Sequence, residues 1–136
     1  KLWESWSFYL CCMLMEVSGF VPGQLDATCH AFVGETVVLP CTTSPPGEPN
    51  KSMLYWQINT TKVVHFSKNG QDSPEYQDKN FKGRTSLFPD QMKYGNFSLK
   101  LSNVTLEDNA TYSCIYKQTE SHQKEESTIK LEVSGK

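Results

Sequence analysis

The stretch Asp108-Asn109-Ala110-Thr111-Tyr112-Ser113-Cys114 decides the fold of this 136-residue chain. It places a tyrosine two residues before a cysteine, which is the tyrosine-corner arrangement of two-sheet β-sandwiches. Cys41 is the candidate partner of Cys114, and Trp56 follows Cys41 by 15 residues. That spacing lets one strand end, a loop turn and the next strand begin. We therefore predict a Cys41–Cys114 disulfide between two sheets, with Trp56 and Tyr112 as structural residues packed around it.

Short runs of alternating apolar residues, separated by turn residues, recur along the chain and predict strands throughout. The segment between Trp56 and Leu99 is long enough for two extra strands, which favours the variable type of immunoglobulin-like sandwich over the constant type. No helix of useful length is predicted. We expect an all-β, immunoglobulin-like β-sandwich of the variable (V-set) type. Its predicted strands span residues 36–41, 53–58, 62–66, 84–88, 96–101, 110–117 and 128–133.

Length and charge limit the remaining classes of protein. The chain is one domain by length, and its formal net charge of −2 offers no broad basic surface for nucleic acid. An apolar run from Trp6 to Met15 is too short to span a membrane but fits the core of a signal peptide. We predict that residues 1–23 are a signal peptide and that residues 24–136 form the immunoglobulin V-set domain. The alternative for the first segment is a buried hydrophobic strand.

The cysteines fit an extracellular setting, in which disulfides persist. Removal of the signal peptide takes Cys11 and Cys12 with it and leaves Cys29, Cys41 and Cys114. Cys29 then has three interpretations: a buried free thiol, a bond to another chain, or a bond to a cysteine outside this sequence. We expect the domain at the external side of the plasma membrane or secreted, and we expect a membrane anchor outside this sequence.

Strand periodicity separates core side chains from surface side chains, because neighbours along a strand point to opposite faces. Tyr55 and Ile115 are apolar residues on the outer face, where no covering layer is expected. Single exposed apolar residues are common, but two on neighbouring strands resemble a small protein-binding patch. The residues predicted on this outer face include Tyr55, Gln57, Ile115, Lys117, Thr128 and Lys130. The predicted core residues are Leu54, Trp56, Phe97, Leu99, Leu101, Tyr112, Cys114, Tyr116, Ile129 and Leu131.

Two further patterns in the sequence are a candidate Arg84–Asp108 pair and a set of glycosylation sequons. Arg84 opens one predicted strand and Asp108 precedes another, and residues at such places commonly pair in variable-type domains, which gives both a structural role. Five Asn-x-Ser/Thr sequons, none with proline in the middle, predict a heavily glycosylated extracellular domain. The predicted glycan acceptors are Asn50, Asn59, Asn96, Asn103 and Asn109.

Patterns of catalytic residues are missing from the sequence. There is no Gly-x-Ser-x-Gly and no His-Glu-x-x-His, and His30, His65 and His122 lack metal-ligand spacing. We therefore predict no enzymatic activity, no metal or other cofactor, and no small-molecule substrate.

Four further stretches are informative together: Tyr55-Trp56-Gln57, Val63-Val64-His65, Lys82-Gly83-Arg84-Thr85-Ser86-Leu87-Phe88-Pro89-Asp90 and Gly95-Asn96-Phe97-Ser98-Leu99-Lys100-Leu101-Ser102-Asn103-Val104. They resemble the variable-type domains of T-cell costimulatory ligands and butyrophilins, the family of ICOS ligand and myelin-oligodendrocyte glycoprotein. The resemblance implies a cell-surface ligand that binds a protein receptor on T cells and modulates T-cell activation. It also implies that the receptor contacts the front sheet, so the predicted receptor-binding residues are the six outer-face residues named above. The alternative function is a cell-adhesion module without immune signalling.

Overall fold

The computed structural model describes residues 12–14, 27–42, 49–120 and 124–135, which fold as two β-sheets packed face to face. The strands in these ranges are Cys12–Leu14 (β1), Ala27–Phe32 (β2), Val37–Leu39 (β3), Ser52–Ile58 (β4), Lys62–Lys68 (β5), Gln71–Asp72 (β6), Thr85–Ser86 (β7), Leu99–Leu101 (β8), Ala110–Gln118 (β9) and Lys124–Ser134 (β10). The front sheet has seven strands in the spatial order β1-β2-β10-β9-β4-β5-β6, and the second sheet has three in the order β3-β8-β7. Pairing is antiparallel except between β2 and β10, which run parallel.

The core lies between the two sheets and contains all ten residues predicted to point inward. Cys41 and Cys114 are disulfide-bonded across the sheets, with their Cα atoms 6.5 Å apart, so the predicted bond is confirmed. Trp56 is fully buried, and its indole Nε1 donates a hydrogen bond to the carbonyl oxygen of Phe97 at 3.1 Å. The all-β sandwich of the variable type is therefore confirmed.

The strand boundaries differ from the prediction where pairing is local or parallel. β2 was not predicted, because its buried residues Ala27, Cys29 and Ala31 are small and give a weak apolar signal, whereas parallel pairing with β10 holds it in the sheet. The strand predicted at 84–88 is reduced to β7, because Pro89 starts a four-residue helix, Pro89–Met92 (α1). The strand predicted at 96–101 is reduced to β8.

Short helical turns complete the described chain. Single 3₁₀ turns lie at Pro49–Lys51, Pro74–Tyr76, Lys79–Phe81 and Leu106–Asp108. No helix within the described ranges is long and apolar enough to cross a membrane.

The first 26 residues are described only in β1, so the predicted signal peptide lies otherwise outside the described residues and stays a prediction. The backbone of β1 pairs antiparallel with β2 and places Cys12 opposite Cys29. Cys29 is fully buried and disulfide-bonded in this structure. The interpretation of Cys29 as a free thiol is therefore wrong.

Candidate protein-binding surface on the front sheet

A row of apolar side chains crosses the outer face of the front sheet. Strand register places Ile115 of β9 opposite Tyr55 of β4, and Tyr55 opposite Phe66 of β5. The rings of Tyr55 and Phe66 are stacked with centroids 6.0 Å apart, and Tyr76 lies against Phe66 at 5.1 Å. We call Ile115, Tyr55, Phe66 and Tyr76 the apolar row. Aromatic pairs in this distance range attract each other beyond simple burial, so the row is a preformed surface.

Ile115 is buried, with 2% of its surface exposed, and this corrects the expectation that it is an uncovered apolar residue. It does lie on the outer face, as strand periodicity predicts, but its cross-strand neighbours are the longer side chains of Tyr55 and Glu126. Directly opposed side chains are only about 5 Å apart at Cβ, so long neighbours cover a shorter one. Ile115 therefore supports the row from below, while Tyr55, Phe66 and the 61% exposed Tyr76 remain accessible.

A basic row lies beside the apolar row, one step towards the β9–β10 turn. Register aligns Lys124, Lys117, Met53 and Lys68 across four strands. The Nζ atom of Lys117 lies 5.7 Å from the centre of the Tyr55 ring, a cation–π contact that holds both side chains in place. Glu126 also lies on this face, with its carboxylate 3.9 Å from the Nζ atom of Lys124. The face is thus locally basic although the chain as a whole carries a formal charge of −2.

A polar row borders the other side of the apolar row. It aligns the polar residues Thr128, Ser113 and Gln57 and ends at the apolar Val63, and all four are half-buried. Five of the six predicted receptor-binding residues therefore lie in three adjacent rows. Lys130 lies one step further, opposite Thr111, and its Nζ atom is 3.6 Å from Glu132. Lys130 is consequently at the margin of the surface.

Phe66 and Tyr76 were missed by the sequence analysis. A bulge between β4 and β5 shifts the register at Trp56/Gln57 and adds one residue to β5, so Val64 enters the core while Phe66 still faces outward. A strict alternation along β5 does not reveal this. Tyr76 lies in a 3₁₀ turn, where no periodic pattern marks its direction.

A polar network supports the edge of the sheet next to Phe66. His65 Nδ1 is 2.8 Å from Thr85 Oγ1, and His65 Nε2 is 2.9 Å from Asp72 Oδ1. The side-chain amide of Gln77 donates to Thr85 Oγ1 at 2.7 Å. These bonds join β5, β6 and β7 beneath a cleft of about 210 Å³. Among the described residues, no group of three or more His, Cys, Asp or Glu side chains is placed to hold a metal ion.

Arg84 and Asp108 form the expected pair away from the front sheet. The guanidinium donates two hydrogen bonds to the carboxylate, at 2.8 and 3.0 Å, and Asp108 is 3% exposed. The bond to Asp108 raises the pKa of Arg84 above its usual value. The Tyr112 hydroxyl donates to the carbonyl oxygen of Asp108 at 2.7 Å; burial raises the pKa of Tyr112, and the charge of Asp108 adds to the shift. These bonds join Arg84, which precedes β7, to the turn before β9.

The five sequons differ in their surroundings. Asn50, Asn59 and Asn103 are exposed, and the first two lie just outside the two ends of β4. Asn96 is half-buried, and its side-chain oxygen accepts the backbone N–H of Ser98 at 3.1 Å. Asn109 is exposed as a residue, but its side-chain amide is hydrogen-bonded.

A two-sheet sandwich with a tyrosine corner, an inter-sheet disulfide beside a buried tryptophan, and extra β5 and β6 strands defines an immunoglobulin-like variable-type domain. The chain belongs to the immunoglobulin V-set domain family, whose family model matches residues 24–134.

Sequence comparison shows which known members of this family the chain is similar to. The chain is 40% identical over 83 residues to the human V-set domain-containing T-cell activation inhibitor 1. The matched region covers 60% of this chain and 29% of that protein. The chain is 31% identical over 131 residues to the myelin-oligodendrocyte glycoprotein of Macaca fascicularis, covering 92% of this chain and 52% of that protein. The matched regions thus cover 29% and 52% of the lengths of these two relatives.

Two solved structures have the same fold. The human B7-H4 IgV-like domain matches with a TM-score of 0.71 at 33% identity, covering 79% of this chain and 91% of that domain. A chain in the crystal structure of ICOS with ICOS-L and an anti-ICOS-L VNAR domain matches with a TM-score of 0.72 at 28% identity, covering 78% of this chain and 53% of that one. The resemblance to costimulatory ligands and to myelin-oligodendrocyte glycoprotein is therefore confirmed.

Proposed function

We propose that this domain is the binding domain of an immunoglobulin-family ligand at the external side of the plasma membrane. In this proposal it binds a protein receptor on T cells through the front sheet and modulates T-cell activation. The observation that carries the proposal is the accessible aromatic side of the apolar row, Tyr55, Phe66 and Tyr76. The similarity to a T-cell activation inhibitor and to the ICOS complex supports a receptor as the partner.

The geometry of the row suits protein binding. Tyrosine side chains near the centre of an interface often dominate affinity, because they bury a large area at a low entropic cost. Tyr55 is already held between the Phe66 ring and the Lys117 ammonium group. Less conformational freedom is therefore lost when a partner covers it.

The charge of the surface defines the matching side of the partner. Lys68, Lys117 and Lys124 lie along one border of the apolar row. Complementary acidic groups on the receptor would accelerate association and fix its orientation more than they would raise affinity. We therefore expect the receptor surface to be acidic where it meets the basic row. Thr128 and Lys130 would contact the opposite margin.

The test uses the secreted chain, tetramerised through a C-terminal tag and applied to resting and activated T cells. Binding to activated cells, together with a change in cytokine release when the chain is immobilised beside a T-cell receptor stimulus, would support the proposal. Sedimentation of the untagged chain measures self-association in parallel. Strong self-association through the front sheet, with no binding to T cells, would instead favour the adhesion module.

A further inference from the structure

The side chain of Asn109 joins two parts of the backbone at one end of the sandwich. Its Nδ2 donates hydrogen bonds to the carbonyl oxygens of Leu106 at 2.8 Å and Val133 at 3.0 Å. Its Oδ1 accepts the backbone N–H of Val133 at 2.8 Å. A side-chain amide has two N–H donors, and Asn109 uses both. The residue therefore ties the turn before β9 to the end of β10.

Three other sequon asparagines lack such bonds. Asn50, Asn59 and Asn103 are exposed, and their side-chain amides make no hydrogen bond within the described part of the chain. Asn96 is intermediate, since its Nδ2 donates to Gln91 Oε1 and leaves the second hydrogen available. The sequon rule alone does not distinguish these residues.

Glycan transfer to Asn109 removes one of the two N–H donors that its side chain uses. Transfer from a lipid-pyrophosphate-linked oligosaccharide forms a bond between Nδ2 and the first carbon of the sugar. It releases the lipid pyrophosphate and removes one N–H proton. The modified Nδ2 has a single hydrogen, so the Leu106 or Val133 carbonyl loses its donor and a sugar must occupy that space. Loss of this bond weakens the link between the turn before β9 and the end of β10, and each such hydrogen bond contributes about 1 kcal/mol to stability.

We infer that Asn109 stays unmodified in the folded protein, where it acts as a backbone clamp, and that the glycans are attached at Asn50, Asn59 and Asn103. Transfer acts on the extended chain, so glycosylation of Asn109 competes with folding. Chains modified at this position fold less well and are depleted from the secreted product. The glycans at Asn50 and Asn59 flank the two ends of β4, a strand of seven residues, and leave the apolar row between them uncovered.

Site-resolved glycopeptide mapping of the secreted full chain tests this inference. Enzymatic deglycosylation in heavy-oxygen water marks each occupied asparagine. We expect at least tenfold lower occupancy at Asn109 than at Asn59. Thr111→Val removes the Asn109 sequon without changing Asn109 and should leave the glycosylated mass unchanged, whereas Thr61→Val should remove one glycan. Occupancy of Asn109 similar to that of Asn59, or loss of a glycan in Thr111→Val, would overturn the inference.

Thermal unfolding of deglycosylated protein tests the clamp itself. Asn109→Gln moves the amide by one methylene and breaks the three bonds, so Tm should fall by roughly 8 °C or more. Thr111→Val should change Tm by no more than about 2 °C. An Asn109→Gln variant with the Tm of the parent would show that the side chain is not a clamp. If that variant is not secreted at all, a parent chain with Asn109 occupied would still contradict the inference.

Discussion

Replacing Ile115 by alanine should lower the free energy of unfolding by about 2 kcal/mol, although the residue faces away from the core. Its side chain is 2% exposed between Tyr55 and Glu126. The change removes three carbons, worth about 0.8 kcal/mol each. The value lies at the lower end of the 2–5 kcal/mol range for such changes, because surface neighbours can partly close the gap. Urea unfolding followed by tryptophan fluorescence measures it.

Ile129→Ala is the matched comparison, since Ile129 is 1% exposed and lies between the two sheets. We expect a loss of about 4 kcal/mol there, because packed core neighbours cannot close the cavity. The m-value should stay the same in both variants if only the native state is weakened. An Ile115→Ala variant within about 0.5 kcal/mol of the parent, which is the usual range for surface changes, would refute the burial described above.

Three further predictions concern the charged and phenolic groups. Asp108→Ala leaves the Arg84 guanidinium without its carboxylate partner and should lower the free energy of unfolding by about 3 kcal/mol, measured by urea unfolding. Folding raises the pKa of Tyr112. The contribution of Tyr112 to the free energy of unfolding is therefore constant below the unfolded pKa of about 10 and is lost as pH rises above it. In Tyr112→Phe, the free energy of unfolding measured from pH 9 to 11 should lose this part of its pH dependence. Lys117→Glu should slow T-cell staining in isotonic low-salt buffer several-fold, whereas Lys82→Glu, with the same charge change outside the front sheet, should not.

The disulfide and the core could be predicted because they depend on spacing and strand periodicity alone. Cys41, Trp56, Tyr112 and Cys114 occur at distances that few other folds require. Period-two alternation then assigns the inward side of each strand, since one slip would expose a whole apolar face. The inward residues of a strand can therefore be predicted from its own sequence, without knowing which strands pair with it.

The composition of the binding surface could not be predicted in the same way. Periodicity gives the face on which Ile115 lies, but its burial depends on the size of cross-strand neighbours that only the register supplies. Phe66 is brought beside Tyr55 by a bulge, which breaks the period that the prediction uses. The bonding of Asn109 depends on Val133, 24 residues away along the chain. Each of these features is a long-range contact rather than a local pattern.

The central claim is that the aromatic side of the apolar row contacts a receptor on T cells, and a paired titration of two tyrosine variants tests it most directly. Tyr55→Ala removes a side chain from the row, while Tyr94→Ala removes a 72% exposed tyrosine from the connection between β7 and β8 in the second sheet. Half-saturating concentrations on activated T cells are compared for folded protein of equal Tm. A loss of about 2 kcal/mol predicts a shift of roughly 30-fold for Tyr55→Ala and no shift for Tyr94→Ala. Equal binding by Tyr55→Ala and the parent would contradict the account.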